Sequence, residues 1–399
     1  MDLQRLRGET PGCEERIHLN NAGAALMPEP VIHAIREHIT LESRIGAYEA
    51  ADARREAAES AYEAVANLIG TRRANVAFTE SATAAFAQAL SSIPFQRDDV
   101  LLTTRNDYVS NQIQFLSLQA RFGVRVLRAP DRPEGGVDVD VMASLIRQHR
   151  PRLVCVSHVP TNSGLVQDAR GVGSICRREG ILYLVDACQS VGQMPVDVRE
   201  LECDFLAATS RKFLRGPRGS GFLFVSDRVL ERGLEPLFID MKGAEWIDAD
   251  VYRAVDDAKR FEMWERAWAL VFGTAAAARY ATALGLDRIR DRTRALAERL
   301  RATLRTIDGV RVLDRGPELC GIVSVFTEGR NPRDVLTALR ARRINANAQI
   351  RAYAVLDYDG KGVAASLRLS PHYYNTEDEI DRAVEAIREI CGHNRQPGP

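Results

Sequence analysis

The sequence predicts an α/β protein: a mostly parallel seven-stranded sheet with helices on both faces, plus a smaller C-terminal α+β domain. Three observations carry this expectation. Short apolar or β-branched runs recur between residues 75 and 225, most of them separated by stretches of helical period. Strands alternating with helices in this way argue for a mostly parallel sheet covered on both faces. Beyond Arg260 the pattern changes to a long helical region and then to short strands and helices.

Taken in order, residues 30–69 read as helix, broken near Gly46, because apolar positions repeat at helical spacing through VIHAIREHI and AYEAVANLI. Seven strands follow at 75–79, 99–103, 124–128, 152–159, 181–186, 204–208 and 221–225. Helices are expected at 107–121, 138–149 and 168–178. Only the glycine-rich RGPRGSG joins the last two strands, so these are expected to pair antiparallel. A helical region runs to about 306, then come strands in VRVLD and GIVSVF, a helix at 332–342 and a final helix at 376–391. The closing NRQPGP reads as a frayed end. The expected organisation is an N-terminal segment (1–30) that contributes to an active site, a large domain (31–275) and a small domain (276–399). The N-terminal segment is expected to help complete the small domain.

The 399 residues carry 54 basic and 54 acidic side chains. This balance argues against a nucleic-acid binder, which needs surplus cations to displace counterions. Seven cysteines without a CxxC pair argue for reduced, buried thiols and against a disulfide frame or a zinc site, so no metal is expected. The N-terminus lacks the apolar core of a signal peptide, and the most apolar stretch, 267–286, is interrupted by Arg279. A cytoplasmic protein with no membrane or nucleic-acid partner is expected.

Of the 54 basic residues only four are lysine: Lys212, Lys242, Lys259 and Lys361. A chain that writes nearly all its positive charge as arginine invites the question of what each lysine does that arginine cannot. Lys212 lies between the strand DFLAATS and a glycine-rich sequel. A lysine amine can shed its proton and form a Schiff base with a carbonyl. A loop lysine at a strand end is more often a surface residue, but Asp186 ends the apolar strand ILYLVD, where a buried carboxylate needs a partner. Capping of a helix would satisfy it. So would the ring nitrogen of pyridoxal phosphate, whose chemistry uses a lysine and an Asp together. A phosphate site is available where NVAFT runs into SATAAFAQALSSI, at a helix N-terminus, although plain capping by Ser81 explains the same residues. Tyr108 could stack on a flat ring, Asn162 could donate to a phenolate oxygen, and Gln189 shares the strand-end loop of Asp186. Each alone is an ordinary turn residue, and their joint placement after strands of one sheet carries the weight.

These residues resemble the class V aminotransferase-like group of fold-type I pyridoxal-phosphate enzymes. That group includes cysteine desulfurases, selenocysteine lyase, kynureninase, isopenicillin N epimerase and C–S lyases. The match runs from about 17 to 390 through HLNNAGAALMP, TESATAAF, SHVPTNSG, VDACQS with TSRKFLRGPRGSGFL, RFEMWE and LRLSPHYYNTEDEID. The ordered set is far more specific than any one motif. The resemblance implies that Lys212 carries the cofactor and Asp186 pairs with its pyridine nitrogen. It implies that Gln189 and Asn162 flank the ring hydroxyl and that Tyr108 stacks. Ala82, Thr83 and Thr209 hold the phosphate, with Arg211 beside them, and Arg368 binds the substrate carboxylate. Asn21, Tyr48, Arg351, Tyr353 and His372 are further candidates for substrate specificity. The group's dimeric habit implies a homodimer with shared active sites.

Two departures shape the functional expectation. Desulfurases similar to this chain place His before the lysine, where Arg211 stands here. They also carry a catalytic cysteine shortly before the carboxylate-binding arginine, and the matching residues 344–366 hold none. Cys320 lies too early and Cys391 too late. The glycine–threonine phosphate clamp donated by a second subunit in the group is replaced near Trp264 and Glu265. The expectation is therefore a lyase that cleaves a C–S bond by β-elimination from a cysteine conjugate or its sulfoxide, giving pyruvate and ammonia. Desulfurase or selenocysteine lyase, aminotransferase and epimerase are the alternatives with the same cofactor. A nicotinamide oxidoreductase is disfavoured, because Gly171-Val-Gly173 lacks a third glycine and follows no strand. A non-catalytic binding protein would need neither Lys212 nor Asp186.

Overall fold

The computed structural model describes residues 1–392; the closing segment expected to fray lies outside them. Seven strands form the main sheet: β1 (Val76–Thr79), β2 (Val100–Thr104), β3 (Arg125–Ala129), β4 (Leu153–Ser157), β5 (Leu182–Asp186), β6 (Phe205–Thr209) and β7 (Gly221–Val225). Their order is β1-β7-β6-β5-β4-β2-β3. All neighbours pair parallel except β7, which is antiparallel to both β1 and β6. β6 and β7 are thus the antiparallel pair the glycine-rich connection requires.

Alternation along the strands divides the core into two layers. Val154, Tyr183, Val185, Leu206 and Phe222 face one side, against Tyr62, Met142 and Val172 of the helices Arg55–Ile69, Val139–His149 and Ala169–Glu179. Leu153, Cys155, Leu184, Phe205 and Leu223 face the other, against Phe86 and Phe115 of the helices Ala82–Ser91 and Val109–Phe122. The expected break at Gly46 is present at φ +98°, between the helices Glu29–Ile45 and Ala47–Ala53. Gly173 lies inside the helix Ala169–Glu179, where a Cβ would sit 1.9 Å from the Leu201 carbonyl oxygen. That glycine serves a close backbone approach within the fold.

A second, four-stranded antiparallel sheet has the order β8-β9-β11-β10. It is built from β8 (Val310–Val312), β9 (Val323–Thr327), β10 (Asn347–Ile350) and β11 (Ala365–Leu369). Its core joins Leu296, Leu300, Val323, Leu339 and Ile380 with Ile17 and Leu19 from near the N-terminus. Ile17–His18 pairs parallel with Ile344–Asn345, and Asn20 bridges to Ser370. Several strands were not legible in the sequence, three of them in polar or exposed segments. β10 (NAQI) is short and polar, and the exposed hairpin Ala244–Asp248/Val251–Ala254 breaks its apolar alternation with acids.

Four buried histidines, His18, His38, His158 and His372, make stability sensitive to acid, burial lowering His38 as it does the others. Burial lowers His18 and His158 to about 4 and puts His372 well below the ordinary value. Folding keeps them neutral, whereas the unfolded chain protonates near the ordinary value of about 6.5. The unfolded state then binds more protons between about pH 6.5 and 4, so stability is full above that window and falls through it. For His18 and His158 the fully expressed shift is on the order of 3 kcal/mol each. The thermal midpoint is expected to fall steadily from pH 7 to pH 5, and His158→Gln to flatten part of that slope. A midpoint that stays constant over this range would contradict the assignment.

Candidate active site

Strand parity places the polar residues. Thr103, Ser157, Asp186 and Thr209 lie at the carboxyl ends of β2, β4, β5 and β6. By alternation all four share the face of Leu153, Leu184 and Phe205. They thus meet the N-terminal ends of the helices Ala82–Ser91 and Val109–Phe122, beyond the strand ends where open sheets bind ligands. Asp186 is buried; its Oδ1 accepts the Cys188 N–H at 3.0 Å and its Oδ2 accepts Asn111 Nδ2 at 2.9 Å. No ion pair among the described residues involves it.

Lys212 sits on the turn after β6 and is 6% exposed. Burial lowers its amine below the ordinary lysine value; nearby Cys188 and Asp186 act the other way, while Arg211 and Arg368 add to the lowering. Its Nζ lies 5.6 Å from the Tyr108 ring centroid. Tyr108 immediately precedes the helix Val109–Phe122, and its ring faces the lysine amine. The lysine turn is held from below by Arg215, whose backbone is left-handed at φ +62°. The buried Arg215 guanidinium donates to the Leu26 carbonyl (2.8 Å), Tyr373 Oη (2.6 Å) and Thr10 Oγ1 (2.7 Å). It also lies 4.4 Å from the Tyr374 ring centroid.

An anion cradle forms where β1 enters the helix Ala82–Ser91. Ser81 caps that helix through the Ala84 N–H, and the first N–H groups of a helix have no intrahelical partner. Gly221 packs directly against them: a Cβ there would lie 2.8 Å from Ala82 N and 2.7 Å from the Ala208 carbonyl oxygen. Thr209 is register partner to Gly221, and Thr83 is exposed at the same helix end.

A turn near the N-terminus closes the other side. Gln189 Nε2 donates to the Ala22 carbonyl (3.0 Å) and Thr161 Oγ1 (2.9 Å). Buried Arg368 donates to the Thr161 carbonyl and Oγ1 (both 2.8 Å) and to Asn20 Oδ1 (3.2 Å). It has no carboxylate partner among the described residues, and burial lowers it to about 10. Arg211 donates to the Gly23 carbonyl of the same turn. Three buried polar atoms here have no partner: Gln189 Oε1, Asn162 Oδ1 and Arg368 Nε. Asn162 gives an N–H to Asp357 Oδ2 at 2.6 Å, and Asp357 also pairs with Lys361 at 2.7 Å.

Lys212, Asp186, Tyr108, Gln189, Arg211 and Arg368 are therefore gathered beyond the strand ends, with Ala82 and Thr83 at a helix start and Thr209 at the end of β6. Other candidates are placed differently. His372 is spent on the core: its Nε2 meets the Phe213 carbonyl at 2.8 Å and its Nδ1 meets Thr293 Oγ1 at 3.2 Å. Asn21 is fully buried between the Ser370 carbonyl (2.7 Å) and Tyr374 Oη (2.5 Å), locking the N-terminal turn. Tyr48 is exposed on the helix Ala47–Ala53, Tyr353 is exposed, and Arg351 pairs with Asp359. Sequence reading passed over Asp107, Asn111, Ser157, Thr161 and Arg215. The i, i+4 spacing of Asp107 and Asn111 at a helix start was the available signal for that pair.

The family model for Aminotransferase class-V matches residues 17–383. A Methanothermobacter thermautotrophicus protein named "Probable cysteine desulfurase" is 31% identical, over 98% of this chain and 99% of its own. A Mycobacterium tuberculosis protein named "Probable hercynylcysteine sulfoxide lyase" is 28% identical, over 93% of this chain and 89% of its own. The apo structure of cysteine desulfurase from Thermococcus onnurineus superposes with a TM-score of 0.90 at 26% identity, covering 98% of both chains. The motifs, the strand-end lysine and aspartate and this full-length match agree: the chain belongs to the class V aminotransferase family and is a pyridoxal-phosphate-dependent enzyme.

Proposed function

We propose that the protein cleaves the C–S bond of a cysteine conjugate, or of its sulfoxide, by β-elimination. The observation that carries this reading is the absence of a suitable thiol. Desulfurisation through an enzyme persulfide needs a thiolate near the substrate. Residues 344–366 hold no cysteine and fold into β10, the helix Val355–Lys361 and the start of β11. All seven cysteines are free, six are buried and the seventh is half-buried. Burial raises each of them, Cys13 and Cys320 to about 11 and Cys155, Cys176, Cys188, Cys203 and Cys391 upward likewise. The sulfur must then leave with the substrate's own fragment. Unpaired, mostly buried thiols also support a reducing, cytoplasmic setting.

The residues present fit pyridoxal phosphate. Gly221 leaves a cradle at Ala82 that a Cβ would fill, Asp186 is a buried carboxylate met only by neutral donors, and Lys212 is a buried amine. When bound, the cofactor supplies a carbonyl that condenses with amines and a ring that takes up the electron pair released at Cα. Ala82, Thr83 and Thr209 would hold its phosphate, and Arg211 stands nearby. Asp186 would hold a proton on the ring nitrogen, and Tyr108 would cover one ring face. Arg368 binds the substrate α-carboxylate, which supplies the negative charge the guanidinium lacks within the chain. Lys212 Nζ, favoured as the free base by burial, takes the Cα proton. The Cβ–S bond breaks with its electron pair going to sulfur, and water hydrolyses the freed enamine to pyruvate and ammonia.

We further infer a homodimer. Leu237, Phe238, Met241 and Trp246 are 64%, 79%, 68% and 80% exposed along one segment, an apolar surface that a second copy would cover.

A panel of S-substituted cysteines and sulfoxides is expected to yield pyruvate, ammonia and a thiol or sulfenate in equal amounts. Alanine from free cysteine, with sulfide appearing only when a thiol reductant is added and no pyruvate formed, would overturn the elimination reading in favour of desulfurisation, the activity named for the Methanothermobacter and Thermococcus proteins. Lys212→Ala should lose both turnover and the borohydride-sensitive visible band, and a band that persists would remove Lys212 from its role. Arg368→Gln should raise KM on the order of 100-fold, as for loss of one partner of a buried charge pair. A KM unchanged in Arg368→Gln would place the carboxylate elsewhere. In sedimentation, Phe238→Asp with Trp246→Asp should convert dimer to monomer, whereas a wild-type monomer would dismiss the shared interface.

A further inference from the structure

Asp107 is buried at 4% exposure and belongs to none of the roles above. It lies one residue before Tyr108, between the end of β2 and the helix Val109–Phe122. Four donors converge on its carboxylate. Oδ1 accepts the Tyr108 N–H at 2.7 Å, Asn111 Nδ2 at 3.2 Å and the Ser157 hydroxyl; Oδ2 accepts the Thr103 hydroxyl at 2.6 Å. Asn111 is 2% exposed, and the same Nδ2 gives its other N–H to Asp186 Oδ2 at 2.9 Å. One amide therefore spans two buried carboxylates. Burial raises Asp107, and the neighbouring Asp186 charge acts in the same direction.

Two like-charged groups in one buried site are unfavourable, and simple packing would favour apolar residues there. Helix capping does not account for the arrangement, because Asp107 precedes the helix's N-cap residue, Tyr108. The arrangement does fix two things at once. Asp107 ties down the backbone of the residue that covers Lys212, and Asn111 ties down the oxygen of Asp186 that Cys188 does not hold. With one oxygen on a backbone N–H and the other on Asn111, the Asp186 carboxylate has no free rotation about its own axis.

We propose that Asp107 and Asn111 act as a positioning pair: they hold Asp186 in the orientation that keeps a proton on the cofactor's ring nitrogen, and set Tyr108 in register with it. Neither touches substrate. The inference depends on the cofactor alone and is independent of which bond the enzyme cleaves. A ring nitrogen that keeps its proton draws electrons from the bond to Lys212 and makes that bond's nitrogen a weak base. Loosening Asp186 therefore raises the pH at which the visible band titrates.

The test is a pH titration of the visible band of the cofactor-loaded protein, with cofactor Kd from equilibrium dialysis and the thermal midpoint of the apoprotein. Asn111→Leu is expected to move the band's midpoint upward by about one pH unit and to weaken cofactor binding about tenfold. Asp107→Asn should move the midpoint in the same direction. Thr103→Val, which removes a donor to Asp107 but leaves Asn111 on Asp186, should leave it within error of wild type. If Asn111→Leu does not fold, Asn111→Ser is too short to reach Asp186 while remaining polar, and carries the same expectation. A lower apoprotein midpoint with an unmoved band and unchanged Kd, in either Asn111 variant or in Asp107→Asn, would reduce the pair to a structural role and overturn the proposal. None of these readings uses a substrate, so failure of the elimination chemistry leaves them intact.

Discussion

Everything at the site depends on strand parity. Side chains alternate across a sheet, so a strand's last residue faces one side or the other according to its register. Thr103, Ser157, Asp186 and Thr209 come from four separate strands and emerge on the same side. That side carries the helix starts at Ala82 and Val109, with their exposed N–H groups and the Tyr108 ring. A one-residue slip of β5 would turn Asp186 toward the other layer and remove the carboxylate from Lys212. The apolar residues before each strand end, such as Leu184 and Val185, secure the register because each belongs to a different core layer.

The buried charges around the lysine turn and strand ends include two kinds. Arg215 is satisfied within the chain by the Leu26 carbonyl, two hydroxyls and the Tyr374 ring. It anchors the lysine turn to the N-terminal segment and to Tyr373. Arg368 and Asp186 are met only by neutral groups, which relieve part of the desolvation cost and leave the charge itself uncompensated. That asymmetry is what a small zwitterionic ligand and a cationic ring require. The overall charge balance of the chain says nothing about it, because the recognition is local.

The order of elements was legible because periodicity and glycine placement are local signals, as at Gly46 and in RGPRGSG. The central chemistry was legible for a different reason. A lysine in an arginine-rich chain and an aspartate ending an apolar strand are both exceptions to their surroundings. The supporting residues were harder to see. Asp107, Asn111 and Thr161 look like turn residues until the fold brings them against Asp186 and Arg368. His372 failed in the opposite sense, standing beside a site arginine in sequence while its ring is turned into the core against Phe213. Asn162 illustrates a third case: its position agrees with the family motif, yet one of its N–H groups is held by Asp357, nearly two hundred residues away.

The N-terminal segment has a consequence for how the chain acquires its structure. Ile17–His18 can form its ladder only with Ile344–Asn345, and Asn20 and Asn21 find their partners at Ser370 and Tyr374. Residues 17–21 thus dock onto partners more than three hundred residues further along the chain. Contacts of such long sequence separation slow the final step of folding. Until it is complete, the floor of the lysine turn is missing, because Arg215 closes on Thr10, Leu26 and Tyr373 together. A chain ending before about residue 370 would lack Tyr373, one of the groups that hold Arg215 beneath the lysine turn. The support beneath Lys212 is thereby tied to the joining of segments that lie far apart in the sequence.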